Sequence, residues 1–343
     1  MDSFFDRALT AARRLGASDV HLKPGQEPIL RIAGELRTFT DVPPLSRDFL
    51  QSLALSLLND RRREALERAG DVTLVFATAA GRQRVHIFQQ RSGLGLSLRL
   101  IPAEIPALDT LGLPSEIRDL TDPGAGLILI ATPPGNGKTT TLAAMIDDIG
   151  ARRPCRVLTI EDPAEYLHRR TSVVQREVGT DAPSAGAGLR AAARQDADLL
   201  AVEPLVDLEA ADLVLAAAEA GQLVLAGITA GSAGGAIGRL TRLWAPEARA
   251  ETRARIGAAL RGVVFQRLVP ATEGKRRVAA GELLRVLPET LPWIADPNAW
   301  ARGGGEQVPG LTAFSPAPAS ASRRRRGRGA EAQPAVEDDP GPD

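Results

Sequence analysis

The sequence predicts an α/β fold: a mostly parallel sheet covered by helices, preceded by a smaller α+β module. Three observations carry this. Four short apolar runs (Arg156 to Ile160, Leu199 to Val202, Leu223 to Ile228, Arg277 to Leu283) read as strands, and helical patterns such as Ala185 to Arg194 and Leu208 to Ala220 lie between most of them. The stretch LILIATPPGNGKTTTLAAMIDDI, Leu127 to Ile149, passes from an apolar run through a Pro/Gly loop into an apolar-periodic helix. Ahead of Pro102, strand-like alternation around turn signals replaces that rhythm.

In chain order, residues 1–16 read as a short amphipathic helix with Phe4, Phe5, Leu9 and Leu15 among its apolar positions. Ala17 to Phe39 alternates around Pro24-Gly25 and Gly34, a hairpin-like pattern, and a charged helical segment follows from Ser46 to Arg68. Asp71 to Ala77, Gly81 to Gln89 and Leu94 to Leu100 are further strand candidates, which closes an N-terminal module at 1–101. Pro102 to Pro123 contains four prolines and reads as a linker, 102–123. The second module spans 124–286, and from Leu287 the pattern dissolves into a divergent segment, 287–343. It ends in a Pro/Ala/Ser-rich tail with SRRRRGRG at Ser322 to Gly329, too poor in apolar residues to offset its ordering entropy.

Composition narrows the function. In 343 residues, 42 Lys and Arg balance 42 Asp and Glu, so no global field draws the chain to nucleic acid or to an anionic membrane. The lone Cys155 excludes an internal disulfide and fits a reducing compartment. No apolar run reaches the roughly 20 residues that a membrane span requires. The start carries Asp2 and Asp6 and lacks the long apolar core of a signal peptide. A cytoplasmic protein is expected, with peripheral membrane association at most. His21, His86 and His168 lack metal-ligand spacing and read as ordinary polar positions.

The chemistry concentrates at the Pro/Gly loop. Backbone N–H groups of such a loop, the positive end of the following helix and Lys138 together form an anion site. Thr139 can offer its hydroxyl to a phosphate-bound Mg²⁺. The pattern G-x-x-x-x-G-K-[ST] has Thr132 at its first position here, while Gly135, Asn136, Gly137, Lys138, Thr139 and Thr140 complete the expected nucleotide cradle. The competing reading is a plain strand-to-helix turn. Glu161 and Asp162 follow one strand and Glu203 another, at the carboxyl edge where open α/β sheets bind ligands. ATP and Mg²⁺ are the expected cofactors.

Several motifs in order resemble the type II/IV secretion ATPase superfamily, and within it the PilT-like retraction motors of type IV pili. They are ASDVHLKPGQEPILRIAGEL, QRVHIFQQRSGLGLSLRLIP, the phosphate loop, VLTIEDPAEYLH, QREVGTD and LRAAARQDAD. The resemblance implies a PAS-like N-terminal domain, a RecA-like P-loop ATPase domain and a hexamer, built of this chain or shared with other PilT-like ATPases. It also implies an inner-membrane pilus platform as partner. It makes Glu161 the group that orients or deprotonates the attacking water, within an acidic box with Asp162 and Glu165. It sends Arg84 and Arg99 to a nucleotide phosphate, although at strand spacing both also fit a solvent-facing position.

The chain departs from the family at three places. Where the family's Walker B strand ends in Gly-Glu, this chain has Glu203-Pro204, and a one-residue shift turns a side chain to the other face. Glu203 is therefore expected to reach the site, and a magnesium ion there, through a local bulge. Gln222 and Thr229 replace family histidines; either can hydrogen-bond a γ-phosphate, but neither takes up a proton near neutral pH. The helical region usual after residue 286 is replaced. Two functions follow: a working ATPase motor of the twitching-motility type, or a catalytically impaired paralogue that binds ATP and regulates a PilT-like ring. A nucleic-acid role for the Arg-rich tail is the weakest reading.

Overall fold

The computed structural model describes residues 3–170, 172–271, 277–296, 298–302 and 308–315. The Arg-rich run lies outside the described residues. Helix α1 (Ser3–Arg14) leads into six strands: β1 (Ala17–Leu22), β2 (Ile29–Ile32), β3 (Glu35–Thr38), β4 (Asp71–Thr78), β5 (Gly81–Gln90) and β6 (Gly93–Leu100). They form one antiparallel sheet in the order β3-β2-β1-β6-β5-β4. Its core joins Val20, Val85, Ile87, Leu96 and Leu98 to Phe5 and Leu9 of α1. The charged segment after Ser46 is two helices, α2 (Arg47–Ser56) and α3 (Asp60–Ala69). Local capping explains the break: Ser46 accepts from the Phe49 N–H to start one helix, and Asn59 accepts from the Arg62 N–H to start the next. Gly70, left-handed at φ +81°, ends the second.

The proline-rich connection is not a free linker. It contains the short helix α4 (Ile117–Thr121), and Ile117, Leu120 and Leu108 pack against Ile128, Ile130, Val264 and Leu283 of the second sheet. Prolines punctuated the sequence there, but the apolar residues between them found a sheet face to cover.

The second module follows as β7 (Gly126–Thr132), α5 (Lys138–Arg152), β8 (Val157–Glu161), β9 (Val173–Glu177), α6 (Ala185–Ala192), β10 (Leu199–Glu203), α7 (Leu208–Glu219), β11 (Leu223–Thr229), α8 (Ala233–Thr241), α9 (Arg249–Ala259), β12 (Leu260–Pro270) and β13 (Arg277–Arg285). Its eight-stranded sheet runs β14-β13-β12-β7-β11-β10-β8-β9, with β14 at Leu311–Phe314. The pairs from β12 across to β9 are parallel, and β13 and β14 add antiparallel edges. Because both faces are covered, the central strands are apolar throughout: all seven residues of β7 are buried.

Three strands of this sheet carried no clear sequence signal. β12 escapes because Leu260 closes α9 and opens the strand with no Gly or Pro between them. β9 is an edge strand with only partial burial. β14 lies beyond Leu287, where the sequence pattern dissolves, yet Leu311 to Phe314 pairs with Gly281 to Leu284. Helices α10 (Leu291–Ala295) and α11 (Ala299–Arg302) fill the gap, and Ile294 and Val308 enter the core against α9 and β12 residues. Residues 288–296 and 308–314 therefore belong structurally to the second module.

The docking of the connection is testable. Ile117→Ala removes a fully buried side chain and should cost about 2–5 kcal/mol of stability in denaturant unfolding. A loss under about 1 kcal/mol would mean that α4 does not pack on the sheet.

Candidate functional site

The phosphate loop follows from local chemistry. β7 delivers the chain to Thr132, and Gly135 and Gly137, at φ +73° and +87°, adopt backbone conformations that side chains resist. Gly137 is the N-cap of α5 and supplies no side-chain capping bond, so the first N–H groups of α5 remain free to meet an anion. A second tie fixes the loop from behind. Buried Gln266 of β12 donates to the Asn136 carbonyl at 2.8 Å and accepts from the Thr141 hydroxyl at 2.8 Å. The Asn136 amide is also committed: its Oδ1 accepts from the Leu268 N–H and its Nδ2 donates to the Pro134 carbonyl. Asn136 thus has only its backbone to offer a nucleotide. The Thr140 hydroxyl meets the Tyr166 hydroxyl at 3.1 Å.

A cleft of about 400 Å³ opens over this loop, between the two modules. Gly135, Gly137, Lys138, Thr139 and Thr140 line it, and so do Glu161, Glu203, Arg84 and Arg99. The sheet explains the meeting of the two glutamates. Glu161 ends β8, Glu203 ends β10, and the two are register partners in a parallel pair, so both side chains rise from one face. That face is the one α5 covers, since Ile128, Ala201 and Leu225 pack there against Leu142 and Ile146.

No bulge is needed to bring Glu203 in. The β10–β8 register is continuous from Leu199 to Glu203, and its Oε1 accepts from the Thr139 hydroxyl at 2.9 Å and lies 3.6 Å from the Lys138 ammonium. The residue standing at the family's Gly position already faces α5. The other oxygen, Oε2, is buried and, among the described residues, without a hydrogen-bond partner. Burial pushes the Glu203 carboxyl up to about 7 against the pull of Lys138 and Thr139, with Glu165 and Glu161 adding to the rise. Glu161 is likewise raised by burial, although its Oε1 accepts from the Thr159 hydroxyl at 2.5 Å and from the Gln175 amide at 3.0 Å.

The orphan Oε2 is the observation that tests a magnesium ion. With the Thr139 hydroxyl beside it the donor set is all oxygen, as Mg²⁺ prefers, and Mg²⁺ at phosphate sites needs only one or two protein ligands. The residues fit that ion.

Arg84 and Arg99 are opposed across β5 and β6, and Asp19 is opposed to Arg99 across β1 and β6, so the three form a row facing the cleft. Arg84 donates to Glu165 at 2.7 Å and Arg99 to Asp19 at 3.1 Å. Both guanidiniums are half-exposed and held by a carboxylate rather than loose in solvent. The module carrying them grips the acidic-box loop itself. Arg82 donates to the carbonyls of Ala164 and Glu165, and Arg62 pairs with Glu177, whose Oε2 accepts from the Ala164 N–H.

One expectation fails on geometry. Thr229 lines the cleft, but Gln222 does not. Gln222 precedes the first residue of β11, with Thr229 at the other end, and a strand rises about 3.3 Å per residue, so roughly 20 Å separate them. The Gln222 amide donates instead to the Ala197 carbonyl at the opposite rim. His168 is held by Asp147 at 2.7 Å, and among the described residues no cluster of three or more His, Cys, Asp or Glu could hold a metal ion. Gln266 and Gln175 are supports that sequence reading missed. Neither residue type is distinctive, and only the strand order brings them to the loop.

The family model described as type II/IV secretion system protein matches residues 1–299. The chain belongs to that family. Among its relatives in the type II/IV secretion family, the type IV pilus retraction ATPase PilT of Pseudomonas aeruginosa is 35% identical over 279 residues, 80% of each chain. The uncharacterized protein YggR of Escherichia coli is 36% identical over 271 residues, 78% of this chain and 81% of its own. A crystal structure of the pilus retraction motor PilT with bound ADP superposes with a TM-score of 0.76 at 37% identity, covering 86% of this chain and 87% of that one. The ATPase DotB of Legionella pneumophila, at 27% identity, gives 0.72 over 86% and 84%. The likeness spans both modules, as expected for a RecA-like ATPase domain behind a smaller N-terminal domain.

The Glu203 environment makes a pH prediction. A carboxyl whose folded value lies near 7 holds its proton in the folded chain while the unfolded chain, near 4.5, has lost it, so Glu203's contribution to nucleotide-free stability falls as pH rises from about 4.5 to 7 and then levels. Glu203→Gln should remove that slope and raise the melting temperature at pH 8 relative to the unmodified chain, with little difference at pH 4.5. Parallel pH profiles for the two proteins would refute the assignment.

Proposed function

We propose that the chain is an ATP-hydrolysing motor subunit of a type IV pilus or related secretion machine. The supporting observation is the convergence of Lys138, Thr139, Glu161 and Glu203 with Arg84 and Arg99 on one cleft. Phosphoryl transfer asks mainly for positioning and charge neutralisation, and these residues divide that work. The loop N–H groups and Lys138 hold the β- and γ-phosphates. Thr139 and Glu203 would hold the magnesium ion, which when bound would neutralise phosphate charge. In that role the Glu203 carboxylate would keep its bond from Thr139 through Oε1 and have Oε2 left to offer a cation. Glu161, at the far side of the shared sheet edge, orients the attacking water and accepts its proton, and its burial raises its basicity for the task. Arg84 and Arg99 exchange their carboxylate partners for phosphate oxygens as planar, multi-donor forks.

Relatives named for type IV pilus ATPases and twitching motility, PilT, PilU and a Neisseria gonorrhoeae protein, at 31–35% identity, support the same reading. We extend it to a hexamer, of this chain or shared with a PilT-like partner, working against an inner-membrane pilus platform from the cytoplasmic side. Among the described residues no helix is long and apolar enough to cross a membrane. Direct nucleic-acid binding is not part of this reading.

One observation favours a second function, an ATP-binding subunit that regulates a PilT-like ring with little turnover of its own. Thr229 supplies the cleft with a hydroxyl where the family has a titrating imidazole. A Mg-ATPase assay, a nucleotide titration and a solution mass on one preparation separate the two. The motor reading expects steady phosphate release, loss of nucleotide binding in Lys138→Ala, and a fall in kcat of about 10² or more with binding retained in Glu161→Gln. Nucleotide binding without turnover, restored only on mixing with a PilT-like ATPase, would establish the regulator instead. Turnover surviving both substitutions would place the site elsewhere.

A further inference from the structure

Glu203 reaches Thr139 by an indirect route. The sheet order is β7-β11-β10, so β11 lies between the strand that ends in the phosphate loop and the strand that carries Glu203. With neighbouring strands about 4.8 Å apart, the Glu203 side chain must lean across β11 to touch the first turn of α5. It crosses at Gly227. A Cβ built on Gly227 would lie 2.9 Å from Glu203 Cγ, 3.2 Å from its Cβ and 3.3 Å from its Cδ. Gly227 is not in the positive-φ region, so no backbone conformation calls for glycine there. Its neighbours Ala226 and Ile228 are a small and a β-branched residue in a strand buried from Leu223 to Ile228, where a glycine forfeits packing and β propensity. Another demand holds the position.

We infer that Gly227 is the positioning residue for Glu203: the missing side chain in β11 is the passage through which the displaced carboxylate reaches Thr139 and the magnesium side of the cleft. The two residues act as one unit. A methyl at 227 would meet the middle of the Glu203 chain, not its mobile end, and the rigid strand on either side prevents the backbone from giving way. The carboxyl would then swing off Thr139 and Lys138 and leave its polar head without those partners in a buried site. This inference rests on the proposed magnesium role of Glu203, and the steric part is separable from it.

The test is a double-substitution cycle read two ways. Thermal unfolding without nucleotide or magnesium reads the packing, and the ratio of ADP affinities with and without Mg²⁺, from a fluorescent ADP titration, reads the site. Gly227→Ala should lower the melting temperature by several degrees and reduce the Mg²⁺ enhancement of ADP affinity at least fivefold. In a Glu203→Gly background the same Gly227→Ala change should cost little in melting temperature and nothing further in the Mg²⁺ enhancement. Gly227→Ala combined with Glu203→Asp, one methylene shorter, should recover part of the enhancement lost in Gly227→Ala alone. If Gly227→Ala does not yield folded protein, recovery of folding by Glu203→Gly supports the inference, and failure to recover overturns it. It is also overturned if Gly227→Ala matches the unmodified chain in both readouts, or if its penalty is undiminished without the Glu203 side chain. Coupled melting temperatures with an unchanged Mg²⁺ enhancement in every variant would overturn the magnesium role of Glu203 and leave only a packing contact.

Discussion

The contact of Glu203 with Thr139 and Lys138 is the constraint on which the site depends. It ties the first turn of α5 to the end of β10 across an intervening strand, and so fixes the phosphate loop relative to both carboxylates. Its energetic cost is visible in the same residue. A carboxyl this buried, with one oxygen unpartnered among the described residues, is not an arrangement that stability alone would keep. An isolated buried charge survives where it meets a cation or a proton, and here the nearest cation among the described residues is Lys138, with the proposed magnesium ion as a second. The site is therefore poised toward its ligand rather than toward the empty fold.

The second dependency is between modules. Arg82 holds two carbonyls of the loop after β8, Arg84 holds Glu165, and Arg62 holds Glu177, which in turn holds the Ala164 N–H. The loop downstream of Glu161 is thus secured by arginines of the other module as well as by Glu177, Gln175 and Thr140 of its own. Charge-assisted bonds of this kind are stronger than neutral ones, yet the Arg84–Glu165 pair sits at the cleft and stays partly accessible to water. The N-terminal module shapes the acidic box as well as lending the cleft two arginines.

Sequence reading recovered the parallel core, the phosphate loop and the glutamates at the strand ends because each leaves a local signature: a buried apolar run, glycines where φ turns positive, a carboxylate just past a strand. It misplaced Gln222 because a motif aligns residues along a line, whereas a strand carries its two ends to opposite rims of the sheet. It required a bulge for Glu203 because a one-residue shift does reverse a side chain, without saying which of the two faces α5 covers. The supports from Gln266, Gln175 and Arg82 were out of reach for a different reason. Each acts on a residue far away in the chain, and glutamines and arginines on strands are too common to announce a partner. β12 and β14 were lost where a helix runs into a strand without punctuation and where a short edge pairs at long range.

The crossing of β11 also constrains history. From any ancestor carrying a side chain at position 227, a glutamate arriving first at 203 would have met that side chain head-on, whereas a glycine arriving first at 227 would have left only a small void. For such an ancestor, sterics would favour one order of replacement, the vacancy before its occupant. A chain halted between the two steps would carry the glycine opposite a small residue, with an empty passage where Glu203 now lies.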